Sequence, residues 1–306
     1  MQVSNLSVPA FPDPRLERER TTKTHDIRCR DPFVMLAGDT YYLYRSRGGK
    51  IECLTSPDLE FWSEPTVVFD PPADFYGCDN FFWAPECHFY GGKFYIFTSC
   101  KSRETGTRRI SVYRASTPLG PFTEITKGGI TPAAWDAIDG TLRIENGVPY
   151  MVFVHEWTSM PDHIGSFVAA PMSDDFTRFT AEPIHLFYAS ELEGATEGVT
   201  DGCYLYRTDS GKLGMIWSNF VAGEYVIAKA CSDNGALDGK WSQNGLLYAR
   251  GLQNGFDFDG GHGMIFRKKD GGFAIAYHSP NAPQKGDFEH LTISDLDVTS
   301  DDIRIK

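Results

Sequence analysis

A five-fold internal repeat constrains this 306-residue chain more than any other feature. Five segments share one grammar: a polar opening, an apolar strand, a glycine-containing turn, then an aromatic-rich strand ending in small or polar residues. They are DPFVMLAGDTYYLYRS from Asp31, ECHFYGGKFYIFTSC from Glu86, DGTLRIENGVPYMVFVHE from Asp139, EGVTDGCYLYRTDSGKLGMIWSN from Glu197 and HGMIFRKKDGGFAIAYHS from His262. The openings lie 55, 53, 58 and 65 residues apart. Four segments run on into a third strand, as in KIECLTSPDLEFW, and the fifth has the shorter HLTISDLDV. Alternating strands with Gly-Asp, Gly-Gly and Asn-Gly turns predict hairpins. Such units cannot bury both faces alone, whereas five stacked radially can, leaving only short edges. The repeat therefore predicts an all-β chain folded as a five-bladed β-propeller, one domain over residues 1–306 with residues 1–25 as an N-terminal extension. A paired β-sandwich gives no reason for five openings at near-constant spacing.

Composition narrows the partners. A formal net charge of −12 argues against nucleic acid, whose affinity comes mainly from Lys and Arg neutralising phosphates. No stretch reaches the roughly 18 apolar residues of a membrane span, so no membrane partner is expected. The N-terminus has no apolar run of signal-peptide length, which predicts a cytoplasmic protein. Seven cysteines without a C-x-x-C pair read as free buried thiols, with neither a zinc site nor a disulfide framework. Aromatic residues make up 14% of the chain, as expected for half-buried strands or a site that stacks on flat ligands.

In a propeller the first strand of each blade lines the central channel, so the five openings converge at one end of the axis. Asp31, Glu86, Asp139, Glu197 and His262 then share one mouth. Clustered carboxylates raise one another's pKa, a frustration that chains accept mainly at functional sites. Acid and base chemistry is the first reading. A divalent cation held by oxygen ligands is the second, although no Asp-x-Asp ligand loop is present. Trp83, Phe33 and Trp135 are the aromatic candidates for packing against a ligand, while His88, His155 and His278 read equally as satisfied inner-strand histidines or as a polar pocket wall.

The ordered set Arg30-Asp31-Pro32, Trp83-Ala84-Pro85-Glu86, Ile138-Asp139-Gly140, Glu197-Gly198 and Gly261-His262-Gly263 resembles glycoside hydrolase family 43. These are five-bladed propellers that cleave α-L-arabinofuranosides, β-D-xylosides and some galactose linkages. The resemblance covers residues 26 to 298. It implies that Asp31 is the general base, Glu197 the general acid and Asp139 the residue that places the acid and tunes its pKa. His262 would lie near the axis, where some members hold water or a metal ion. Gly140 departs from the proline usual after the blade-three aspartate, and Glu86 stands where the family often has a non-acidic residue. Trp83, Glu86, His262, Phe33 and Trp135 are the expected substrate-binding set. No cofactor is required, and a structural divalent cation such as calcium near the axis, with His262 as ligand, is the one the resemblance allows.

The expected reaction is inverting hydrolysis, which needs one protonated and one ionised carboxyl group roughly 6.5–9.5 Å apart. An oligosaccharide is the expected partner, and terminal α-L-arabinofuranosyl residues the expected target. The chain ends soon after blade five, without the C-terminal sandwich of many β-xylosidases in the family. A β-D-xylosidase or a β-D-galactofuranosidase or galactosidase is the alternative within the family. A non-catalytic carbohydrate-binding propeller is the alternative of another class. The strings Arg-Asp-Pro and Glu-Cys also occur in fructan-cleaving propellers, but their aspartate nucleophile one blade earlier has no counterpart here.

Overall fold

Alternation and turn chemistry set the architecture. The computed structural model describes residues 1–5, 7–77, 81–280 and 288–306. Five four-stranded antiparallel sheets follow one another in chain order. Blade 1 comprises Phe33–Ala37, Thr40–Arg47, Lys50–Ser56 and Thr66–Phe69, and blade 2 comprises Trp83–Tyr90, Lys93–Lys101, Arg108–Ala115 and Thr123–Glu124. Blade 3 is Ala137–Glu145, Val148–His155, Ser166–Pro171 and Ile184–Tyr188. Blade 4 is Asp201–Arg207, Leu213–Val221, Glu224–Ser232 and Trp241–Tyr248, and blade 5 is Gly261–Arg267, Phe273–Pro280, Glu289–Val298 and Ile303–Ile305. The first strand of each blade packs against the first strands of both neighbours, blade 5 against blade 1 included, so the ring is closed. This is the five-bladed β-propeller that the repeat predicts.

The tightest hairpins use the residues that the turn demands. Gly91-Gly92 and Asn146-Gly147 each place both central residues at positive φ, the geometry whose twist matches the flanking strands. Burial between blades supplies the core. Trp217 of blade 4, fully buried, packs on Phe167 and Phe187 of blade 3 with ring centroids 5.5 and 5.4 Å away, and its indole donates to Gln243 Oε1 at 3.0 Å. Cys29, Cys53, Cys87 and Cys203 are free and buried, Cys231 is free and half-buried, and Cys100 is buried, whereas Cys78 lies outside the described residues. The charged stretch PRLERER contains only a short 3-10 turn, Pro14–Glu17, capped by Asp13.

The first residues cross the end of the channel opposite the strand openings. Gln2 exchanges backbone hydrogen bonds of 2.8 Å with Arg207 at the far end of the blade-4 inner strand. Asn5 donates to Cys87 O at 2.9 Å and accepts from Phe89 N at 2.8 Å in blade 2. Val8 bridges to Ala37 in blade 1. Ligands therefore meet the ring from the other end, where the inner strands begin.

Candidate active site

Each inner strand begins with the same backbone irregularity. Asp31, Ala84, Asp139, Gly202 and His262 have φ of +50°, +44°, +55°, +60° and +49°. In blades 2 to 5 this residue lies in a β-bulge, two residues opposing one, with the ladder resuming two residues later at Glu86, Thr141, Tyr204 and Met264. In blade 1 the ladder likewise starts two residues after Asp31, at Phe33. A bulge re-aims a side chain, and a non-glycine residue held there costs about 1–3 kcal/mol, a strain typical of functional sites. The five-fold register thus aligns Asp31, Ala84, Asp139, Gly202 and His262. It also aligns the preceding residues Arg30, Trp83, Ile138, Asp201 and Gly261.

That register places three carboxylates around one imidazole. His262 Nδ1 lies 3.1 Å from Asp31 Oδ1 and 3.7 Å from Asp139 Oδ2, and the His262 amide donates to Ser218 Oγ at 2.8 Å. Burial disfavours the His262 charge, but Asp31 and Asp139 outweigh it and push its pKa up to about 10. Burial would likewise raise Asp31. The His262 charge and hydrogen bonds from His262 and His278 prevail, and hold Asp31 well below the usual carboxylate range. His278 Nδ1 lies 3.1 Å from the Asp31 amide nitrogen and 3.3 Å from Oδ1. Asp31 is therefore an ionised base held by two histidines.

The other carboxyl groups are pushed the opposite way. Asp139, 5% exposed, is raised to about 6 by burial and by Asp31, with His262 and a 2.9 Å hydrogen bond from the Gly202 amide acting against the shift. Asp201 is raised to about 7 by burial and by Asp139, although Tyr225 donates its hydroxyl to Oδ2 at 2.9 Å. Glu156, which follows the second strand of blade 3, is raised to about 7 by burial and by Asp201, and accepts from Thr158 Oγ1 at 3.2 Å. One carboxyl group held ionised and others with pKa values raised toward neutrality is the division of labour that acid–base catalysis uses.

These groups line a cavity of about 740 Å³, the size range of a saccharide site. Asp31, Asp139, Asp201, Glu156, His262 and His278 all face it. Trp83 stands on its rim, 41% exposed, with the Arg108 guanidinium 3.5 Å from its ring centroid. Phe81 is a further exposed lining aromatic, and Trp157 and Phe288 are exposed lining aromatics that carry no signal in the sequence.

Four predicted site residues lie elsewhere. Glu197 is exposed, outside the cavity, and precedes the blade-4 strand; the fourth-blade carboxylate facing the site is Asp201. Two acid-glycine pairs occur four residues apart, Glu197-Gly198 and Asp201-Gly202, and matching the first string misplaces the register. Counting from the turns finds the right one. Gly38, Gly91, Asn146, Asp209 and Lys269 each sit in the connecting turn seven residues after Asp31, Ala84, Asp139, Gly202 and His262. Glu86 and Phe33 occupy the position two residues below the bulge, under the cavity floor. There Glu86 meets His88 Nε2 at 3.0 Å and the Phe33 ring packs edge-on against His88 and Tyr204. Trp135 is half-buried off the lining, stacked on His155 at 3.9 Å.

A cation at His262 does not fit the arrangement. Its Nδ1 faces Asp31 and Asp139, the ring carries the positive charge itself, and among the described residues no group of three or more His, Cys, Asp or Glu could hold a metal ion.

A closed propeller whose mouth gathers a low-pKa Asp31 and carboxyl groups raised toward neutrality in one cavity defines a hydrolase of glycosidic bonds. The profile of Glycosyl hydrolases family 43 matches residues 25–303, and the chain belongs to that family. It is 33% identical to the endo-arabinase structure from Bacteroides thetaiotaomicron VPI-5482, with a TM-score of 0.82, covering 92% of this chain and 99% of that one. It is 25% identical over 258 residues to a probable arabinan endo-1,5-alpha-L-arabinosidase C of Neosartorya fischeri, covering 78% of each. It is 27% identical over 184 residues to the extracellular exo-alpha-(1->5)-L-arabinofuranosidase ArbA of Cellvibrio japonicus, covering 55% of this chain and 50% of that protein.

Proposed function

We propose that this glycoside hydrolase removes terminal α-L-arabinofuranosyl residues from oligosaccharides by a single displacement that inverts the anomeric centre. The opposed protonation of Asp31 and Asp201 in one cavity carries this reading. Asp31 takes a proton from a water molecule as that water attacks the anomeric carbon. Asp201 gives its proton to the departing glycosidic oxygen, in the role that the resemblance had assigned to Glu197. Asp139 keeps the acid protonated by its charge, and Glu156 adds to the same effect from the far side. The oxocarbenium-like transition state develops positive charge beside the carboxylates, which stabilises it.

Arabinose as the sugar rests on relatives of both kinds being named for arabinan or arabinofuranoside cleavage. Terminal attack rests on the Cellvibrio relative being named an exo-acting arabinofuranosidase. Attack inside a chain is the second reading, favoured by the endo-arabinase name of the Bacteroides structure. Proton NMR of the anomeric region during hydrolysis of nitrophenyl arabinofuranoside, xyloside and galactofuranoside tests the sugar and the stereochemistry. Release of arabinose alone from linear arabino-oligosaccharides supports the terminal reading, and oligomeric products overturn it.

A further inference from the structure

The cavity has a cationic wall that the chemistry above does not use. Arg28, Arg30 and Arg47 line it on the side of blade 1 and are exposed, in a chain that carries 41 acidic against 29 basic residues. Their mounting is rigid. Buried Arg45 is held by Glu52 through Nε at 3.1 Å and Nη2 at 3.0 Å, and donates Nη1 to Arg28 O at 3.0 Å. The Cys29 amide donates to Glu289 O at 3.1 Å, which pins the Arg28–Arg30 stretch to the third strand of blade 5. The Arg28 guanidinium lies 3.5 Å from the centre of the exposed Phe288 ring.

These cations are in excess of what the site needs. Among the described residues neither Arg28 nor Arg47 has an ion pair, and Arg30 meets only Glu289, Nε to Oε1 at 3.6 Å. Asp31 is held ionised by His262 and His278 rather than by these arginines. A guanidinium presents a planar fork that matches a carboxylate, and a flat aromatic ring beside it matches the face of a pyranose.

We propose that this wall binds the carboxylate of a uronic acid residue of the substrate, so that the preferred substrate is an arabinofuranosyl group borne on an acidic saccharide. The uronate binding deepens the arabinofuranosidase reading and rests on it for the identity of the sugar removed. The test is calorimetric titration of the protein with a galacturonate trisaccharide and with its carboxyl-reduced neutral counterpart, at about 20 and 300 mM salt. The acid is expected to bind about ten-fold more tightly than the neutral sugar at low salt, and to lose that advantage at high salt. Arg28→Gln and Arg47→Gln are each expected to weaken the acid about three-fold or more and leave the neutral sugar unchanged. Equal affinities, no measurable binding of the acid, or an advantage that survives salt and both substitutions would overturn the proposal. Turnover of nitrophenyl arabinofuranoside by the same protein is scored separately. Acid preference without turnover sinks the arabinose reading alone, and turnover without acid preference sinks the uronate site alone.

Discussion

His262 Nδ1 approaches Asp31 Oδ1 to 3.1 Å across the junction between the last blade and the first. Their charges are mutually dependent: Asp31 is ionised because His262 is cationic, and His262 is cationic because Asp31 is ionised. His262→Gln leaves a buried carboxylate with less support, so its pKa rises. The acidic limb of the kcat/KM profile is expected to move to higher pH and the maximum to fall by about 10²-fold. An unshifted acidic limb would show that His262 does not set the base.

The same pair ties stability to pH. His262 is raised from 6.5 to about 10 on folding, so its contribution is complete below pH 6.5 and is lost as pH rises through 10. Asp201 is also raised, from 3.8 to about 7, so folding must ionise a buried carboxyl above that pH. Asp201→Asn is therefore expected to raise the Tm at pH 8.5 by about 2 °C or more, with a smaller gain at pH 5. Thermal melts of both proteins across pH check this.

The assignment of the acid separates two neighbouring carboxylates. Asp201→Ala should lower kcat/KM on a natural glycoside by about 10²-fold or more, and by much less on a nitrophenyl glycoside, whose leaving group needs little protonation. Glu197→Ala, an exposed change outside the cavity, should stay within about two-fold on both. The reverse pattern would restore Glu197 as the acid.

Glu156 is predicted to act through Asp201. Removing its charge relieves repulsion on Asp201, so Glu156→Gln should shift the basic limb of the pH profile to lower pH, by about half a unit to one unit. A uniform loss of rate with the limb in place would reduce Glu156 to a packing role.

Backbone shape is as demanding as charge. A Cβ on Gly202 would lie 2.8 Å from both Cα and Cγ of His262, at a residue with φ of +60°. Gly202→Ala is expected to cost about 1–3 kcal/mol in stability and to displace the imidazole, with a loss of activity larger than the loss of stability explains. Denaturant melts alongside kcat/KM separate the two effects.

The propeller was legible because its period is written many times over, in five openings and in turn dipeptides whose φ requirements few residues meet. Asp31, Asp139 and His262 were legible for the same reason, since each opens a segment followed by an apolar run. Asp201 was not, because it aligns with the residue before the opening in blades 1, 3 and 5 rather than with the opening itself, and Glu197-Gly198 offered a nearer likeness. Glu156 and Tyr225 had no signal at all. They reach the cavity from second and third strands, where the sequence looks like any other buried edge. Phe33 had the right neighbours but points into a packed layer, a distinction set by strand parity relative to the bulge, and Trp135 lies before the blade-3 strand, stacked on His155.

Each blade is a contiguous stretch of chain, so among the described residues no blade takes a strand from the other terminus to fasten the ring. Instead the residues that arm the base are among its fasteners: Asp31 comes from the start of the propeller, and His262 and His278 come from its end. A nascent chain carries Asp31 long before its partners are made. Until the fifth blade docks, that carboxyl has neither its counter-ion nor its water-excluding walls, so under the proposed mechanism an unfinished or opened ring lacks its base. Hydrolytic competence in this architecture is thus a report that the circle has closed.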